Sequence, residues 1–217
     1  MQNSGDAILD IFKESVPRRF TEGVLKLLFN AYRISLAECR NRFEPQEAGN
    51  LWPFFRREVI EQEMRTLANH FRGMTAAAVR DPSVTWWYHT RIVSGQVTFT
   101  QNAVAHPEEV VRPAYFRQAY AITNRQKYLS KDFAPNDLPD DWLLYAILIH
   151  GKSPQASGGL GFAHFVFPRH DLAEYYRPRI DLFSQFPQIV AANMPKRNAG
   201  QDDGPDPELH EGEGIGG

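Results

Sequence analysis

The hydrophobic positions along the chain change period once, near residue 73, and the change separates a helical part from a sheet-bearing part. Upstream, "FTEGVLKLLFNAYRISLAECRNRF" places Phe20, Val24, Leu27, Leu28, Ala31, Ile34 and Leu36 close to the repeat of a helix with one apolar face. "EPQEAGN" reads as a turn-rich break. "LWPFFRREVIEQEMRTLANHF" restores the helical pattern, with Trp52, Phe55, Val59, Leu67 and Phe71 on its stripe. Two such helices joined by a short link pack antiparallel. Arg56, Arg57, Glu61, Glu63 and Arg65 fall mostly off the stripe and are expected to form a solvated charged face. A shorter helix is expected over 6–14.

Beyond Gly73 the signals are those of strands. "TAAAV" reads as a short strand, and residues 84–103 hold two β-rich runs around Ser94-Gly95, a dipeptide suited to a two-residue hairpin. "WLLYAILIH" and "LGFAHFVFP" are apolar at successive positions, so each is expected to be a strand covered on both faces. Between the hairpin and the first of these a helix is expected to open at about Pro113. Residues 171–193 read as two short helices divided by Pro178 and Pro187. The predicted fold is α+β. N-terminal antiparallel helices (1–73) precede an antiparallel sheet of about four strands with flanking helices (74–195), in one domain spanning 1–195. The acidic, glycine-rich stretch 196–217 is expected to be a disordered tail.

The hairpin holds the most suggestive chemistry. With Ser94-Gly95 as the turn, Val93 faces Gln96, Arg91 faces Thr98 and His89 faces Thr100. Strand alternation then sends Trp86, Tyr88, Thr90, Ile92, Val97, Phe99 and Ala103 to a core face. Trp87, His89, Arg91, Val93, Thr98, Thr100 and Asn102 share the other. One reading is a solvated sheet face. The other is a ligand platform, with Arg91 on a phosphate, Trp87 stacked on a base, and His89, Thr98, Thr100 and Asn102 supplying hydrogen bonds. Lys152 and Arg169, near the ends of the loop "GKSPQASGG", are further candidates for the same ligand.

Charge narrows the partners. The chain has 217 residues and a net charge of -2. Its tail sets Lys196 and Arg197 against Asp202, Asp203, Asp206, Glu208, Glu211 and Glu213, which leaves the body nearly neutral. Any site for a polyanion must therefore be local. The longest apolar run, Trp142 to Ile149, falls far short of the roughly 20 residues that span a bilayer, so no membrane partner is expected. The single cysteine, Cys39, sits in a helical apolar pattern, and the N-terminus lacks a basic leader. A cytoplasmic location is expected, with Cys39 as a small buried apolar group.

Known catalytic patterns fit poorly. "AILIHGKS" formally matches a relaxed phosphate loop, but its intervening residues read as strand and "PQASGG" cannot start the helix that a phosphate needs. "PDD" at 139–141 has no acidic-x-Lys triplet downstream. Neither zinc-ligand spacing nor a nucleophile elbow is found, and no metal or cofactor is expected. His89, His150 and His164 are the candidate catalytic groups, because an imidazole titrates near neutral pH. Three function classes result. The first is a binding module for a phosphorylated ligand, nucleotide or nucleic acid, acting through the hairpin face. The second is a metal-independent hydrolase or phosphodiesterase using two of the three histidines. The third is an interaction subunit that meets a protein partner through helices 18–72. The binding or assembly readings are preferred to catalysis, since no full catalytic set can be written down.

Overall fold

A computed structural model describes residues 4–81, 87–125, 143–153 and 159–194. Three helices lead, α1 (Ser4–Ser15), α2 (Arg18–Arg42) and α3 (Pro45–Asn69). They are followed by β1 (Met74–Arg80), β2 (Tyr88–Ser94) and β3 (Val97–Ala103). Helix α4 (Tyr115–Ala121) comes next and runs into a short 3-10 turn. Then come β4 (Leu144–Lys152), β5 (Leu160–Val166), β6 (Ile180–Asp181), α5 (Leu182–Gln185) and α6 (Pro187–Asn193). The fold is α+β, with the helices first. The sheet has six strands rather than four, in the order β1-β2-β3-β4-β5-β6. It is also mixed rather than antiparallel, because β3 and β4 run parallel. A tight turn cannot join parallel strands, and the long connection that carries α4 can. The two-residue β6 is too short for its sequence to show a period.

Helices α1 to α3 cover one face of the sheet. Phe12 meets Phe165 at 4.9 Å between ring centroids, and Phe20 meets Phe99 at 5.7 Å. Helices α2 and α3 pack antiparallel, as expected. Trp52 Nε1 donates to Ser35 Oγ at 2.9 Å towards one end of the pair. Towards the other, a Cβ on Gly23 would lie 3.1 Å from the Leu67 methyls, so glycine lets the helices close.

Two expectations for α3 are corrected. The break is confined to Phe43 and Glu44 and does not span "EPQEAGN", since the helix starts at Pro45, whose missing N–H costs nothing in a first turn. The buried face is also rotated from the expected stripe. Trp52, Arg56, Ile60, Glu61, Met64 and Ala68 face inward, while Phe55 is 39% and Phe54 62% exposed. Arg56 and Glu61 thus belong to the interior and not to a solvated charged face.

The hairpin register also differs from the expected one. Ser94 pairs with Val97, Val93 with Thr98 and Ile92 with Phe99, so the turn residues are Gly95 and Gln96. Gly95 has φ of +52°, the left-handed conformation that a type II′ turn reserves for its first central residue. Moving the turn by one residue moves the pairing by two, so the membership of each face is preserved. Ser15 anchors the tip, accepting from Ser94 Oγ through its carbonyl at 2.6 Å and from Gln96 N through its hydroxyl at 3.1 Å.

On the far face, Tyr145, Ile147 and Ile149 of β4 pack with Val111, Ala121 and Leu172. Strand β4 is thereby covered on both sides, as its unbroken apolar run predicts. Within 171–193 only α5 and α6 are helical. Both lie beyond Pro178 and meet at Pro187; a Pro168–Tyr175 bridge precedes Pro178, and the strand β6 follows it. The expected tail at 196–217, residues 128–141 ("YLSKDFAPNDLPDD", whose composition predicts an irregular loop), Trp86 and the centre of the glycine-rich loop lie outside the described residues. Among the described residues no helix is long and apolar enough to cross a membrane.

Candidate functional site

Because β3 and β4 are parallel, their carboxyl ends reach the same edge of the sheet, the location where open α/β sheets take their ligands. A cavity of about 170 Å³ lies at that edge, between α3 and α4. Helix α3 supplies Pro53, Arg56, Arg57 and Glu61, which share a face at helical spacing. Trp87 immediately precedes β2 and His89 lies at its start, while Gln101 and Asn102 come from the end of β3, His150 from β4, and Phe116 and Arg117 from α4.

One wall is a buried hydrogen-bond chain whose directions can be worked out. The Glu61 carboxylate accepts from the Thr90 backbone N–H and, at 2.8 Å, from Gln101 Nε2. A carboxylate only accepts, so the Gln101 amide is oriented with its oxygen towards His150 Nε2, 2.8 Å away. His150 Nε2 therefore carries the proton, and Nδ1 accepts from the Tyr32 hydroxyl at 2.8 Å. Burial pushes the His150 imidazole down to about 3, and the Arg56 cation acts in the same direction. His150 is neutral at physiological pH with both nitrogens engaged.

The other walls are cationic. The Arg56 guanidinium is 6% exposed and lies 4.5 Å from the ring centroids of both Tyr32 and Trp52. Arg57 stacks 3.9 Å over Trp87, donates to the Tyr88 carbonyl and approaches Glu61 at 4.0 Å. Arg117 donates through Nη2 to Asn102 Oδ1 at 2.6 Å and through Nη1 to the Arg112 carbonyl at 2.8 Å. Burial lowers the Arg117 guanidinium from its ordinary value, while Tyr145 and Tyr175 oppose the change. His89 stacks on Phe116 at 3.7 Å and places Nε2 3.3 Å from the Tyr120 hydroxyl. Burial brings its imidazole down to about 4; Asp81 opposes this, and Arg117, Arg57 and Arg91 reinforce it.

These donors are not all used. Among the described residues, four buried side-chain nitrogens have no hydrogen-bond partner: Arg56 Nη1, His89 Nδ1, Arg117 Nε and His164 Nδ1. The first three belong to residues lining this cavity. Three guanidinium groups share it with the single carboxylate of Glu61. Neither Arg56 nor Arg117 forms an ion pair with a described residue. Buried donors and cations are costly when unpaired, so the arrangement is suited to an anion.

Of the site residues expected from sequence, Trp87, His89, Asn102 and His150 meet at the cavity. Arg91, Thr98 and Thr100 share the hairpin face with His89, but that face lies beneath α4 and its 3-10 turn rather than facing solvent. Thr98 and Thr100 are 3% and 2% exposed. Thr100 Oγ1 bonds the Tyr145 hydroxyl at 2.8 Å, and Arg91 Nε donates to Thr98 Oγ1 at 3.3 Å. His164 lies apart from the cavity, with Nε2 3.5 Å from Asp181. Lys152 extends over the Trp52 ring at 5.6 Å, and Arg169 pairs with Glu174 at 3.3 Å; neither lines the cavity. On helices α2 and α3 and the link between them, the exposed large apolar side chains are Ile34, Phe43, Leu51, Phe54 and Phe55.

Sequence reasoning missed Arg56, Arg57, Glu61, Gln101, Phe116 and Arg117. The one available signal was the i,i+4 spacing of Trp52 and Arg56, which lets a guanidinium cover a ring on the same helix face. No family model, curated protein or solved structure matches the chain.

Proposed function

We propose that the protein binds a small phosphorylated ligand in the cavity between α3, α4 and the carboxyl ends of β3 and β4. One observation carries this reading: Arg56 Nη1, Arg117 Nε and His89 Nδ1 are buried and unpaired, and all three belong to residues that line the same space. A tetrahedral oxyanion would satisfy all three and neutralise the excess cationic charge. The anion would select the His89 tautomer protonated at Nδ1, with the Tyr120 hydroxyl donating to Nε2. Arg56 is held rigid between two rings before any ligand arrives, which reduces the entropic cost of binding. We place the protein in the cytoplasm, where phosphorylated metabolites are available and a lone thiol such as Cys39 stays reduced. The hydrolase alternative has less support. Acid–base work by a histidine pair needs one imidazolium, whereas His89 and His150 are both neutral and His150 has no nitrogen to spare.

Thermal unfolding in inorganic phosphate, against chloride at equal ionic strength, tests the proposal. Phosphate at ten times its Kd should add about 1.4 kcal/mol, which raises the Tm of a chain this size by roughly 3–6 °C. Arg56→Met should abolish the response. Its cost in ligand-free stability should be small, because two lost cation–π contacts of ~0.5–2 kcal/mol each are offset by removing an unpaired donor that costs ~1–3 kcal/mol. Arg117→Gln is the second variant and should weaken the response in the same way. No phosphate-specific shift in the wild-type protein, or an undiminished shift in both variants, would overturn the reading.

A further inference from the structure

We infer that the ligand is a short, hydroxylated, singly phosphorylated molecule, of about the size of glycerol 3-phosphate, rather than a nucleotide or an oligonucleotide. The inference rests on the phosphate-binding reading of the cavity and narrows it by size, by stacking and by charge.

Size is the first constraint. The cavity measures about 170 Å³. An apolar cavity of about 150 Å³ accepts benzene, which has about six non-hydrogen atoms, so the space here encloses roughly seven at the same density, a phosphate group and the first atoms of the chain that it esterifies. Glycerol 3-phosphate, with about ten, would leave only its far end at the mouth, whereas AMP has more than twice as many, so a nucleotide could insert its phosphate only with its sugar and base left outside.

Stacking is the second. A base outside the cavity would need an aromatic face to rest on, and both rings of the lining already carry a planar side chain. Trp87 carries the Arg57 guanidinium at 3.9 Å. Phe116 carries the His89 ring at 3.7 Å and the Arg117 guanidinium at 4.9 Å.

Charge is the third constraint, and it points to hydroxyl groups. The Glu61 carboxylate lines the same space as the three guanidinium groups. A carboxylate offers about four acceptor positions, and the Thr90 N–H and the Gln101 amide take one each. The acceptor capacity left over suits a ligand O–H donor and repels a second phosphate. The site is therefore asymmetric, with an anion end at Arg56, Arg117 and His89 and a hydroxyl end at Glu61.

Titration calorimetry of the full chain with inorganic phosphate, glycerol 3-phosphate, AMP and a ten-residue oligothymidylate separates the possibilities. Glycerol 3-phosphate should bind at least tenfold more tightly than each of the other three. Tighter binding of AMP or of the oligonucleotide would overturn the inference while leaving a phosphate site in place. Equal affinity for inorganic phosphate and glycerol 3-phosphate would also overturn it, because the hydroxyl end would then contribute nothing. If none of the four binds, or if binding is undiminished in both Arg56→Met and Arg117→Gln, the phosphate-site reading itself fails.

Discussion

Replacing His150 with glutamine should flatten the acid limb of the stability curve. His150 is 1% exposed and is held between the Tyr32 hydroxyl and the Gln101 amide, with Arg56 adding its charge nearby. Burial keeps the folded imidazole neutral down to about 3, whereas an unfolded chain protonates it near the ordinary value of about 6.5. Below that upper value the unfolded state binds more protons than the folded one. Stability is therefore fully present above about pH 6.5, falls with decreasing pH, and stops falling near pH 3. Integrated over that window, the loss is of the order of 5 kcal/mol from His150, with ~3 kcal/mol more from His89, whose folded value is about 4. Together these rival the ~5–15 kcal/mol that holds a typical domain folded, so acid unfolding should be complete before His150 protonates in the native state. Urea midpoints measured at half-unit steps from pH 7 to pH 4.5 provide the assay. Each sealed histidine adds up to ~1.4 kcal/mol per pH unit to the slope, so His150→Gln should lose one such increment and keep the one due to His89. Parallel pH dependences in the two proteins would refute the argument, because His150 would then take up its proton as readily folded as unfolded.

Two further substitutions probe the same architecture. Tyr32→Phe removes the donor to His150 Nδ1 and leaves a buried acceptor unpaired, so it should cost ~1–3 kcal/mol in urea unfolding at pH 7. A loss below ~0.5 kcal/mol would mean that water or another group replaces the hydroxyl. Gly151→Ala should be severe, since its Cβ would lie 2.4 Å from the Phe162 ring and 2.5 Å from the Val104 carbonyl oxygen, and backbone cannot step aside. A loss of ~2 kcal/mol or more is expected by chemical denaturation, and a near-neutral effect would show that the β4–β5 bulge can open.

The periodic parts of the chain were decided locally. Helix α2, the antiparallel α2–α3 pair and the doubly covered strands β4 and β5 follow from apolar spacing, because each buries side chains at its own repeat. The hairpin faces follow as well, since alternation survives a turn displaced by one residue. Phe99 and Ile92 therefore reach the core, and His89 and Asn102 share the opposite face, whichever dipeptide makes the turn. What covers that opposite face was beyond the sequence. Thr98 and Thr100 look alike whether they meet water or α4, and only the path of the β3–β4 connection puts α4 there. The same connection makes β3 and β4 parallel and brings their carboxyl ends to one edge.

The cavity was the least legible feature for a related reason. Arg56 and Glu61 look like surface charges on an amphipathic helix, because burying a charge costs free energy and the compensation is contributed from far away in the chain. For Arg56 it comes from Tyr32 on α2, added to Trp52 one turn earlier on its own helix, and for Glu61 from Thr90 on β2 and Gln101 on β3. Local sequence encodes which side chains prefer water, but the preference is reversed by partners that only the assembled fold supplies.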